Sequence, residues 1–320
     1  MATVVGESGR ALPARRSRLG VAWTLISSTA VRAWRDRVLG LAAEAGFWQL
    51  LSLPSMLLAV LGIIGFFSGT LGPDTLKDLE DALVRGAKHV IVPSAVDSTV
   101  QPALHRILVG GRLDVVSISF IVSLWTGSSA IATYVNTITI AYGLRHHRNA
   151  VRSRILALGL YLAFVAVGVV LLPLLVLGPG VILRLSPDNW HHVLHIVLSI
   201  GYWPVVVLIT LSLLATMYHL AVPVRTPWHR AVPGALLGLV VWVAGLFVLR
   251  IWLTWAFRET ATYGPLSAPV AVLVFLYLTA LAILLGAELN AEIDRIWPLK
   301  ATEDAREEEQ RAAAAASVTS

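Results

Sequence analysis

Runs of about 20 apolar residues, most without a single charge, recur along this chain and constrain it more than any other feature. A run of that length crosses a ~30 Å hydrocarbon core as one helix. The bilayer interior offers no partner to unpaired backbone groups, and the short alternating strands of an outer-membrane barrel are missing, so the runs are read as helices. Charged residues make up only 14% of the chain, against about 25% in a soluble domain, while apolar residues reach 57%. A soluble core could not hide that much apolar surface. The expected fold class is an all-α, polytopic membrane helix bundle of about six transmembrane helices, with both termini in the cytoplasm.

Three regions follow from the same pattern. Residues 1–46 form a cytoplasmic N-terminal arm, in which Leu19 to Leu41 mixes apolar residues with Trp23, Trp34, Arg32, Arg35 and Arg37 and reads as an interfacial helix. Residues 47–292 form the six-span domain. Its spans are expected near Phe47 to Phe67, Val115 to Tyr142, Ile155 to Leu177, within Val193 to Leu220, Pro233 to Leu253, and Ala268 to Ala287. The longest polar connection, 72–114, is placed outside the cytoplasm with two short amphipathic helices. Residues 293–320 are a cytoplasmic, charged and Ala-rich tail, expected as a frayed helix or a disordered segment. The first long apolar run lies behind too long an Arg-rich leader to be a cleaved signal, so it is expected to stay as an anchor.

Orientation follows from the basic residues. Of the 25 Lys and Arg, 17 fall in the arm, the tail and the two short connections 143–154 and 221–230. The other side of the membrane receives eight, five of them in the long 72–114 connection, where they weigh little in the positive-inside rule. The isoelectric point near 10.0 and net charge of +6 therefore describe topology signals that also meet anionic lipid headgroups, rather than a nucleic-acid surface. Expected partners are membrane lipids and an amphipathic substrate, with no nucleic acid; the sequence names no oligomeric state. The expected location is the bacterial cytoplasmic membrane.

The second span carries the main polar feature. Ser119, Ser123, Thr126, Thr133 and Thr137 fall in a narrow helical stripe with Asn136 beside it. Small hydroxyl residues permit close helix packing and bond across helices or to their own carbonyls, which is the first reading of the stripe; the second is the wall of a polar path for a headgroup. At the other end of the domain, Glu288 and Asn290 lie near the cytoplasmic boundary and are candidates to bond Arg145 or Arg148 across a cytoplasmic mouth. Gly234 and Gly238, four apart in the fifth span, can let another helix approach. His191, His192 and His195 come nearest to a metal site but have no convincing third ligand or acid, so neither metal nor cofactor is expected. The clustered His and Asp of a soluble nuclease are absent and no catalytic residue is assigned.

The order of these features resembles the YihY/BrkB family of inner-membrane proteins, once misnamed ribonuclease BN. The most specific stretch is Ala261-Thr262-Tyr263-Gly264-Pro265-Leu266-Ser267-Ala268, an apolar span, then Leu285-Gly286-Ala287-Glu288-Leu289-Asn290-Ala291-Glu292. Leu51-Ser52-Leu53-Pro54, Leu124-Trp125, Tyr142-Gly143, Tyr218-His219-Leu220-Ala221-Val222-Pro223 and Pro233-Gly234-Ala235 precede it in the family's order. The chain departs where many relatives have Ser-Leu-Phe-Pro, and in Phe275, where tryptophan is commoner. The resemblance implies a six-helix envelope protein, from a family associated with serum resistance or envelope stress and, in some proposals, with export of lipid-like molecules. It assigns no catalytic residues. Three classes of function stay open: a transporter of an amphipathic component, a structural or regulatory envelope protein that moves nothing, and, ranked last, an intramembrane enzyme.

Overall fold

The computed structural model describes residues 18–66, 113–145, 149–177, 191–259 and 264–318, with isolated positions between 77 and 105. The described residues are helical apart from short turns, and no strand occurs among them. In chain order the helices are α1 (Arg18–Arg35), α2 (Val38–Phe66), α3 (Leu113–Ala141), α4 (Ala150–Leu177), α5 (His191–Ala221), α6 (Val232–Glu259), α7 (Gly264–Ile296) and α8 (Lys300–Val318). From α2 to α7 each has 28 to 33 residues. At 1.5 Å per residue that is about 42–50 Å, longer than the ~30 Å apolar layer of a bilayer. Four stretches among the described residues are also apolar enough to cross it: Ala150–Gly168, Gly201–Ala221, Trp228–Thr254 and Pro269–Ile296.

The first long helix begins nine residues before Phe47. Val38, Ala42 and Ala45 recur at helical spacing and are fully buried, so this face packs into the bundle well before the uncharged run starts. What ends α1 is the backbone of Arg37, which adopts a left-handed φ of 56° and turns the chain into α2. Of the two forms expected of the tail, the described residues take the helical one, α8, with Thr302 and Ala305 buried against the bundle. Its alanines favour helix, and Glu307 and Arg311 pair one turn apart at 2.9 Å.

The short links between helices meet at one end of the bundle, here termed the base. Arg295 donates to the Ala141 carbonyl at 2.6 Å, Arg230 to that of Trp297 at 2.6 Å, and Arg306 to that of Tyr142 at 2.8 Å. Successive long helices therefore run alternately away from and toward the base. α2 packs most extensively on α3, α6 on α7, and α7 also on α2.

Small residues set the closest crossings. A Cβ at Gly234 would strike the Gly286 carbonyl and Asn290, and one at Gly286 would strike the Gly234 carbonyl and the Tyr218 hydroxyl. Gly238 continues that seam, with the Ala282 carbonyl 3.1 Å from where its Cβ would stand.

Candidate functional site

Three polar features of the bundle are candidates for a site: the base, the hydroxyl stripe and an internal cleft. The base is built on the last three turns of α7. Helical spacing there directs Leu284, Ala287, Glu288 and Ala291 inward, and Asn290, Glu292 and Asp294 are buried beside them. Asn290 accepts from the Gly234 backbone N–H at 2.7 Å and donates to the Ala231 carbonyl at 3.0 Å. It thus serves the first turn of α6, whose N–H groups have no intrahelical partner. Glu292 pairs with Arg32 of α1 at 2.5 Å and, more loosely, with Arg295 at 3.5 Å. Asp294 pairs with Arg306 of α8 at 2.6 Å and accepts from the Thr302 hydroxyl at 3.1 Å. Tyr142 lies in the same cluster. Burial and the nearby Asp294 carboxylate push its phenol well above the ordinary range, against the pull of Arg306 and Arg230.

The arginines that meet the α7 acids are thus Arg32, Arg295 and Arg306. Arg145 sits exposed in the link after α3, and Arg148 lies outside the described residues. Glu288 is fully buried, and neither of its carboxyl oxygens has a hydrogen-bond partner among the described residues. Sequence spacing located the α7 acids; nothing local pointed to Arg32 or Arg306, which reach them only through the tertiary fold.

The stripe on α3 is buried at Ser123, Thr126, Thr133 and Thr137, whereas Asn136 is exposed. The Ser119 side chain lies outside the described residues. Most of these hydroxyls bond to carbonyls one turn back: Thr126 to Val122, Thr133 to Ser129, and Thr137 to Thr133. Two also bond across helices. Ser123 shares a hydrogen bond of 2.9 Å with the Tyr161 hydroxyl of α4, and Thr133 donates to Glu44 of α2 at 3.2 Å. Arg154 of α4 completes this seam by donating to Ser129 and to the Trp125 carbonyl, each at 3.1 Å, with its guanidinium 4.5 Å above the Trp125 ring. His191, His192 and His195 lie on α5 with side chains outside the described set. No group of three His, Asp or Glu side chains among the described residues is placed to hold a metal ion.

Beside that seam lies a cleft of about 390 Å³ to which α2 to α7 all contribute, in the size range of small-molecule sites. Phe164, Leu214, Met217 and Leu239 give it apolar walls, and no charged side chain lines it among the described residues. None of the described stripe residues lines it either; α3 contributes Ile131 and Tyr134. Tyr134 is seven residues before the end of α3 and Thr279 thirteen before Glu292, so the cleft lies roughly 10–20 Å along the helices from the base. Its polar groups are mostly satisfied. Trp242 donates to Thr279 at 3.0 Å, Thr279 to the Phe275 carbonyl at 2.8 Å, and Thr210 to the Val206 carbonyl at 2.9 Å. Gln49 donates to the Tyr134 hydroxyl at 3.0 Å, but its own carbonyl oxygen is buried without a partner among the described residues.

The family model described as "Virulence factor BrkB" matches residues 29–313. The chain is also 25% identical over 253 residues to the ribonuclease-like protein YfkH of Bacillus subtilis (strain 168), a match covering 78% of this chain and 88% of that protein. No solved structure matches the chain significantly.

Proposed function

The chain belongs to the BrkB family of membrane proteins, and from that premise we propose that it assists the movement of an amphipathic, lipid-like envelope component. The observation that carries this reading is the cleft lined from α2 to α7. Apolar walls suit a lipid chain, and the absence of charge along them among the described residues leaves a headgroup to travel nearer the helix ends. Six membrane spans are part of the reading, because α2 and α3 match the other four in length and alternate with them. The base is then cytoplasmic, since Arg32, Arg35, Arg37, Arg145, Arg152 and Arg230 gather there. The membrane is the bacterial cytoplasmic membrane.

In this reading the cleft takes the chain of the substrate, while Ser123, Thr126, Thr133 and Thr137 hold α3 against its neighbours beside it. Arg145 and Arg148 attract anionic headgroups at the cytoplasmic face in the same reading, by their charge and their position in the sequence. No ribonuclease step is assigned to any residue.

The experiment is transfer of fluorescent envelope lipids by the purified protein in vesicles. Thr210→Trp, which fills the cleft, is expected to slow transfer at least fivefold while the protein still inserts. A wild-type protein that moves no lipid faster than protein-free vesicles removes the reading. The specific observation favouring a structural envelope protein instead is the base itself, where ion pairs fasten α1 and α8 to α7. That second reading takes over if no lipid moves.

A further inference from the structure

From residue 115 to residue 187, a stretch that includes all of α4 and nearly all of α3, the sequence contains neither Asp nor Glu. Arg145, Arg148, Arg152 and Arg154 fall in the middle of it, so any negative charge that meets them comes from outside this hairpin. The fold holds Arg154 in place. It donates to the Ser129 hydroxyl and the Trp125 carbonyl and lies over the Trp125 ring, so its partners among the described residues are all uncharged. Glu44 of α2, an acid that reaches the same seam, accepts from Thr133 instead.

This guanidinium opens onto the outside of the bundle. Its bond to the Trp125 carbonyl is exposed, and Trp125 itself is 64% exposed. Ile121 and Ile118 continue the exposed face of α3 one and two turns beyond Trp125, and Ile155, next to Arg154 on α4, is exposed too. A guanidinium carries five N–H donors, so two bonds within the protein leave about three for a ligand.

Depth selects the ligand. From Trp125 and Ser129, α3 runs on to Ala141 at the base for about 18–24 Å. The long helices exceed the ~30 Å apolar layer by about 12–20 Å, and the charged last turns of α7 put that excess on the base side. Arg154 therefore stands near the level where the apolar layer gives way to headgroups, the level that Trp and Arg side chains favour. Phosphate oxygens are concentrated there, and a guanidinium pairs with them bidentately.

We propose that the α3–α4 seam holds one anionic phospholipid, its phosphate on the Arg154 guanidinium and an acyl chain along Trp125, Ile121 and Ile118. The site lies on the outer surface of the bundle, apart from the cleft. It rests on α3 and α4 spanning the membrane, as read above, and does not require the protein to move lipid.

The test uses the full chain in neutral nanodiscs doped with photoreactive lipids of equal chain length: a phosphatidylglycerol, whose phosphate is anionic, and the corresponding diacylglycerol, which has none. Crosslinked peptides are identified by mass spectrometry. Phosphatidylglycerol is expected to label the segment from Ile118 to Trp125 about tenfold more than the diacylglycerol, as for a charge-assisted hydrogen-bonded pair. Arg154→Gln is expected to erase most of that excess while diacylglycerol labelling persists, which reports that the variant is folded. Arg152→Gln removes an equal charge from a neighbouring exposed position and is expected to keep the excess. Equal labelling by the two lipids in the wild type, or the same loss in both variants, overturns the site; the wild-type comparison stands however the variants fold. Displacement of the lipid by water-soluble glycerol phosphate assigns the anion site to a small solute and overturns the lipid. A protein that labels here but transfers nothing loses only the transport reading, and one that transfers without labelling here loses only this site.

Discussion

Asn290 on α7 reaches the first turn of α6 and accepts the backbone N–H of Gly234 at 2.7 Å. Gly234 is at the same time the point where α6 touches Gly286, so one residue carries both the closest helix crossing and a side-chain cap. That double duty governs how the last two long helices fit together.

Leucine at Gly234 or Gly286 is expected to force α6 and α7 apart. Overpacking of this kind costs about 1–3 kcal/mol, and more where backbone stands in the way. Leu236 is 53% exposed, and Leu236→Ala is the matched control with little effect. Thermal stability in detergent measures all three, and equal midpoints would remove the close-contact account.

Asn290→Ala leaves the Gly234 N–H and the Ala231 carbonyl buried without their partner. The expected loss is about 1–3 kcal/mol for each stranded group. Asn290→Asp keeps the acceptor for Gly234 but puts an oxygen against the Ala231 carbonyl, so it is expected to recover only part of the stability. Denaturation midpoints of the two variants against wild type check the order.

The Arg306–Asp294 pair is expected to decide whether α8 stays on the base. Asp294 is 3% exposed, and without Arg306 its carboxylate keeps, among the described residues, the Thr302 hydroxyl. Arg306→Ala is expected to cost about 3 kcal/mol, as for breaking a buried ion pair from one side. Limited proteolysis should then release residues beyond 300 several times faster, and Asp294→Asn in the same chain should add little further.

Replacing Ser123, Thr126 and Thr133 together by Ala, Val and Val should lower stability through the lost bonds to Tyr161 and Glu44. Lipid transfer in vesicles by the folded fraction should be unchanged, because none of the three lines the cleft. Loss of transfer with stability intact would return the stripe to the role of a path.

The chain contains no cysteine, so single introduced thiols report sidedness cleanly. Asn149→Cys, in the exposed link at the base, and Gln101→Cys, in the long connection, should react with impermeant reagents from opposite faces. Labelling of both from one face would contradict six alternating spans.

What the sequence made legible was whatever repeats along one helix. Uncharged runs revealed the long helices, the 3.6-residue period grouped the α3 hydroxyls, and the Gly234/Gly238 spacing marked a seam. Partnership across helices was not legible. Gln49 and Tyr134 lie 85 positions apart, and no local signal joins them. The same holds for Arg306, because a charged, alanine-rich segment has the composition of a solvated tail until Asp294 and Tyr142 hold it. The hydroxyl stripe was visible as a stripe, but which neighbour it faces depends on how α2 and α4 pack.

Both terminal helices are anchored to α7, the last of the long helices to be synthesised. α1 leaves the ribosome first, yet Arg32 has no Glu292 to meet until some 260 further residues have followed. The Arg32–Glu292 pair can therefore form only after every earlier helix has been made, and a chain truncated before α7 lacks that hold on α1.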